Sequence, residues 1–98
     1  MAAKRLLSVD FEVFGRVQGV FFRKYTRLKA KELNLVGWVK NTKRNTVIGQ
    51  MQGEPSGIDV MKEWLKTKGS PSSRIERCVF KNEMNITSLG FTAFEIRK

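Results

Sequence analysis

Six residues, Gly15-Arg16-Val17-Gln18-Gly19-Val20, separate an alternating segment from one with helical spacing, and two of them are glycines. Where a strand hands over to a helix, successive backbone N–H groups can surround an anion, and the helix dipole adds positive potential. Glycine permits the positive φ angles of such a nest and lets an oxygen approach closely. An ordinary strand-to-helix connection has the same composition, so the loop does not decide by itself. Arg23 and Lys24 follow in the first helical turn. Cations there oppose the dipole at a cost of about 0.3–1 kcal/mol each, a cost that a bound anion reverses. The planar arginine fork can also clamp two phosphate oxygens at once. Arg27 and Lys31 continue the stripe and read as a solvated basic face, which is also the alternative reading of Arg23. Asn41 closes a strand that otherwise alternates, and it reads either as a turn-former or as a polar group delivered to a site.

The inventory of side chains removes most routes to phosphate chemistry. Histidine is absent, so no imidazole base and no phosphohistidine is available. Cys78 has Met84, not arginine, six residues on, which excludes a cysteine-phosphatase loop. Asp10 and Asp59 are the only aspartates and form no Asp-x-Asp pair. Neither a clustered carboxylate–imidazole metal site nor a Gly-x-x-x-x-Gly-Lys-Ser/Thr loop occurs in the sequence. Arginine, amides, hydroxyls and backbone remain. An acyl phosphate suits that set, because its carboxylate leaving group, with a pKa of ~4, needs no general acid.

The elements that must carry these residues fit a chain of 98 residues, enough for one compact domain. Ser8 to Phe14 alternates, with Val9, Phe11 and Val13 on one face, which predicts a half-buried strand. From Phe21 to Asn34 the period becomes helical, placing Phe22, Tyr25, Thr26, Ala30 and Leu33 on one side and Lys29 at its edge. Asn34 and Gly37 supply stop signals. Val36 to Asn41 and Thr46 to Gln52 pair across the turn Thr42-Lys43-Arg44-Asn45. Ser56 and Asp59 suggest a capping box for a second helix, with Ile58, Met61, Trp64, Leu65 and Lys68 inward and Gly69-Ser70-Pro71 as its end. Ile75 to Asn82 and Phe91 to Arg97 are the closing strands, the latter with Phe94 and Ile96 on one side. The order β-α-β-β-α-β plus a short terminal strand describes an α+β, ferredoxin-like sandwich: an antiparallel sheet with two helices packed on one face. That fold hosts many functions and does not choose the chemistry.

Charge and composition narrow the partners. With 19 basic and 9 acidic residues the formal net charge is +10, which attracts anions of every kind. Hydrophobic residues make up 41%, enough for a core, but no apolar run approaches the roughly 20 residues that span a bilayer. The start Met1-Ala2-Ala3-Lys4-Arg5 lacks the apolar stretch of a secretory signal, and the single Cys78 fits a reducing compartment, so a cytoplasmic location is expected. The aromatic strand motif of RNA-recognition domains is absent, so specific nucleic-acid binding is not expected. With no large unexplained apolar patch, a monomer is expected.

At these positions the chain resembles the acylphosphatases. Val13-Phe14-Gly15-Arg16-Val17-Gln18-Gly19-Val20-Phe21-Phe22-Arg23 is similar to the family's first signature at every defined position. Gly37-Trp38-Val39-Lys40-Asn41, with Val47 and Gly53 beyond, is similar to the second, and the likeness extends to Glu63-Trp64-Leu65 and Gly69-Ser70-Pro71. The resemblance implies a small hydrolase that works without metal, cofactor or phosphoenzyme. It would split an acyl phosphate into a carboxylate and inorganic phosphate. Arg23 and the backbone amides of Gly15, Arg16, Val17, Gln18, Gly19 and Val20 would hold the phosphate, Asn41 would orient the attacking water, and the substrate's own phosphate could take its proton. Thr42 would support Asn41 or the turn. One departure is Asn45, where the family pattern has glycine. Asparagine is the next-best residue for a left-handed turn, so the hairpin should survive.

Overall fold

A computed structural model describes residues 5–98. The start of the chain, read above as lacking a secretory signal, lies outside the described residues apart from Arg5. The elements run β1 (Leu6–Arg16), α1 (Phe22–Glu32), β2 (Val36–Asn41), β3 (Val47–Gly53), α2 (Pro55–Thr67), β4 (Arg74–Ile86) and β5 (Phe94–Arg97). They form a five-stranded sheet in the order β4-β1-β3-β2-β5. Each paired neighbour among the first four strands is antiparallel, but β5 runs parallel to β2, so the sheet is mixed rather than purely antiparallel.

Alternation in β1 sends Val9, Phe11 and Val13 toward the helices, where each is almost fully buried. Val9, Phe11 and Val13 stand opposite Met51, Gly49 and Val47 of β3. Ile58, Met61 and Leu65 of α2 and Phe22 and Ala30 of α1 close the core from above. Each of these side chains larger than Ala30 contributes about 1.5–3 kcal/mol relative to exposure.

Several boundaries differ from expectation, each for a local reason. In α1 the buried stripe is Phe22, Thr26 and Ala30, while Tyr25 is exposed and Leu33 only half-buried. Gly37 does not stop α1; Asn34 does, at φ 57°. Gly37 sits inside β2, where a Cβ would lie 1.9 Å from the carbonyl oxygen of Gln50. Helix α2 starts without the expected box: Glu54 is its N-cap, Pro55 opens the first turn, and no side-chain cap forms at Ser56 and Asp59. Proline pre-sets the helical φ and lacks the N–H that would need a cap. Lys68 is the exposed C-cap, not part of the inner face. Strand β4 continues four residues past Asn82, which sits at φ 54° where the register against β1 slips. Such a bulge admits an unpaired residue into an antiparallel ladder. The substituted turn survives: Asn45 adopts φ 66°, and the Thr42 N–H donates to the Thr46 carbonyl at 2.9 Å.

Candidate active site

The end of β1, the loop after it, the first turn of α1 and the end of β2 meet at one end of the sheet's strands. Between them lies a cleft of about 280 Å³, lined by Val17, Gly19, Phe21, Phe22, Arg23, Lys24, Asn41 and Ile96. Asn41 shares the face of β2 that carries buried Val39, so the pleat aims its side chain toward the helix layer. Its Oδ1 is buried and accepts no hydrogen bond from any described group. Buried polar atoms are almost always paired, so an orphaned amide oxygen in a cleft points to a ligand.

Arg23 enters from the first turn of α1, which contains no acidic residue. Its Nη1 donates one long bond, 3.3 Å, to the Arg97 carbonyl. Among the described residues no carboxylate pairs with it. A guanidinium carries five N–H donors, so most remain available. The turn entering α1 is unusual: Phe21 holds a left-handed φ of 59° while remaining largely exposed. A bulky residue there carries about 1–2 kcal/mol of strain, which persists only where surrounding structure enforces it. Gly19, at φ 71°, has open space around it, so its glycine serves conformation rather than close packing.

The two halves of the cleft are tied together. Gln18 Nε2 donates to the carbonyls of Thr42 at 2.8 Å and Thr46 at 2.9 Å, fastening the loop to the β2–β3 hairpin. Thr42 Oγ1 accepts from the backbone N–H groups of Arg44 and Thr46, both at 3.2 Å. It also meets Thr46 Oγ1 at 2.6 Å. The Thr46 hydroxyl donates to Glu12 Oε2 at 2.6 Å, and Arg44 Nη2 donates to the same oxygen at 2.7 Å. A hydroxyl has one proton, so with Thr46 bonded to the carboxylate, Thr42 must be the donor to Thr46. The Thr46 hydroxyl above all, with Arg44 assisting, holds the Glu12 carboxyl below its ordinary pKa despite burial.

Of the phosphate-binding residues expected from sequence, Val17, Gly19 and Arg23 line the cleft. Gly15 and Arg16 are still paired with Ile75 and Arg74 as the end of β1. Gln18 turns its side chain to the hairpin, and Val20 is buried. Thr42 lies in the turn beside Asn41 rather than in the lining. Lys24, read with Arg23 as a first-turn cation suited to an anion, also lines the cleft, whereas sequence reasoning missed Phe21 and Ile96 as walls, and Glu12 and Thr46 beneath the turn. For Glu12 the strand alternation gave only its side of β1, opposite Val9, Phe11 and Val13, and not its burial.

The sequence pattern of the Acylphosphatase family matches residues 9–96. The chain belongs to the acylphosphatase family. It is 56% identical over 93 residues to acylphosphatase-1 of Mus musculus, covering 95% of this chain and 94% of that protein. Identity is also 56% over 96 residues to acylphosphatase-2 of Cavia porcellus, covering 98% and 97%. An acylphosphatase structure from Coxiella burnetii superposes with a TM-score of 0.86 at 34% identity, covering 99% of this chain and all of that one. The match spans the loop and strand ends that build the cleft, and the fold is that of the acylphosphatase structure from Coxiella burnetii.

Proposed function

We propose that the cleft binds the phosphate of an acyl phosphate through Arg23 and the loop amides, with Asn41 holding the water that attacks it. As a member of the acylphosphatase family the chain is an enzyme that hydrolyses acyl phosphates. The observation that carries the residue assignment is the pair of unsatisfied groups in one cleft: the free donors of Arg23 and the orphaned Oδ1 of Asn41.

Oδ1 would accept a proton of the water in a hydrogen bond and turn an oxygen lone pair toward phosphorus. The new P–O bond forms as the bond to the acyl oxygen breaks, and the carboxylate departs unprotonated. The water's proton passes to a non-bridging phosphate oxygen, so no protein base takes part. Arg23 neutralises charge on the equatorial oxygens, a preorganised role whose loss typically costs about 10²–10³ in rate. Among the described residues no three His, Cys, Asp or Glu side chains come together as a group that could hold a metal ion. We further propose that the chain works as one domain and as a monomer in the cytoplasm. None of the described helices is long and apolar enough to cross a membrane.

The test is hydrolysis of benzoyl phosphate, followed by ultraviolet absorbance with excess chelator, in wild type and Asn41→Ala. Turnover that survives chelation and falls at least about 100-fold in a folded variant supports the assignment. Equal loss of activity and thermal stability in the variant would argue that Asn41 is structural.

A further inference from the structure

Arg27 and Lys31 lie one and two turns beyond Arg23 along α1, and the sequence alone gives them only a solvated face. The structure puts both on the wall of a groove of about 750 Å³ between α1 and β5. Ile96 lines this groove and the phosphate cleft alike, so the two adjoin at that side chain. The groove floor includes Leu35 and Phe94. Ion pairs among the described residues engage Lys29, Arg44, Lys62 and Lys66, and none engages Arg27 or Lys31. Lys29 on the same helix is matched by Glu32, so the helix does not leave its cations bare everywhere. Glu95 also borders the groove, but it stands opposite Trp38 in the β5–β2 register, and alternation directs its side chain to the other side of the sheet from Phe94 and Ile96.

Resting on the phosphate assignment above, we propose that this groove receives the acyl part of the substrate and that Arg27 and Lys31 recognise a second anionic group on it. The favoured substrates are then acyl phosphates whose acyl chain ends in a carboxylate or similar anion. The rise from Arg23 to Arg27 is about 6 Å and to Lys31 about 12 Å, a span that a short chain bridges. An apolar floor under a cationic wall suits such a chain, methylenes below and charge at its end. Both cations are exposed, so their contribution is a modest, salt-screened preference rather than an absolute requirement.

The experiment compares adipoyl monophosphate with hexanoyl phosphate, equal in length and differing in the terminal carboxylate, for wild type and Arg27→Gln/Lys31→Gln at low and high salt. We expect wild-type kcat/KM to favour adipoyl monophosphate by about three- to tenfold at low salt, the preference shrinking with added salt. The double variant should bring the ratio close to one while leaving hexanoyl phosphate turnover unchanged. A wild-type ratio near one, or a variant that loses both substrates equally, overturns the groove assignment. Failure of wild type to hydrolyse hexanoyl phosphate would instead strike at the phosphate-site reading itself.

Discussion

Two polar regions of this molecule are treated in opposite ways. On the sheet face away from the helices, side-chain polar groups find partners. Asp10 accepts from Gln50 at 2.9 Å and from Asn82 at 2.8 Å. Gln52 donates to Ser8 and accepts from the Gly90 N–H, and Glu12 takes both Thr46 and Arg44. In the cleft, less than a hairpin away, Arg23 keeps most of its donors free and Asn41 keeps a buried oxygen without a partner. Satisfied networks fix geometry, and unsatisfied groups hold binding capacity in reserve. The contrast teaches that the sheet face is the frame, and it supports the proposal that the cleft is the part kept ready for substrate.

Breaking the cleft side should give the largest effect on function and the least on folding. Arg23→Ala should lower kcat/KM for benzoyl phosphate by at least about 100-fold. Because it also removes a cation from the first turn of α1, its melting temperature should hold or rise by a few degrees, which calorimetry would report. A melting temperature that collapses along with activity would place Arg23 in the frame instead.

Breaking the frame should do the reverse in kind. Glu12→Gln keeps the shape but removes the charge that Thr46 and Arg44 stabilise, at a cost of about 1–2 kcal/mol near neutral pH. That corresponds to a fall of roughly 5–10 °C in melting temperature. The pH dependence has a fixed sign. A carboxyl whose folded pKa is depressed stabilises the fold above its ordinary value, 4.5, and that benefit disappears as pH falls through the lower folded value. The gap between wild type and Glu12→Gln should therefore be full above pH 4.5 and close in stronger acid. A gap that does not change with pH would sink the ionised-carboxylate account.

The smallest effect belongs to the rim. The Arg44 side chain is 71% exposed although its partner is buried, so Arg44→Ala should cost only about 0–1 kcal/mol and should not move kcat/KM measurably. A change in kcat/KM at unaltered stability would show that the turn transmits strain from its outer side to Asn41.

The same division explains what could be read from residues alone. Alternation in β1 and helical spacing after Phe21 are local patterns, and they located α1, the hairpin and the loop between them. Arg23 and Asn41 stood out because each conflicts with its local setting, a cation at a dipole's positive end and an amide at the end of an apolar strand. The far half of β4 did not stand out, since an edge strand wet on both faces has no period to detect. Gly37 was misread as a helix stop because its reason, the closeness of Gln50, lies on another strand. Burial of Glu12 was illegible for the same cause: its partners come from residues 44 and 46, thirty-odd positions away.

The Gln18 clasp has a consequence in time. Its two bonds join residues 24 and 28 positions apart, and the chain between them contains α1 and β2. Closing so long a loop is an entropic expense that only docked elements can offset, so the clasp cannot precede the docking of α1. Helical signal should thus return early in refolding, whereas catalytic competence returns with the final cooperative step. A chain caught halfway would look substantially folded and still be unable to turn over a single substrate molecule.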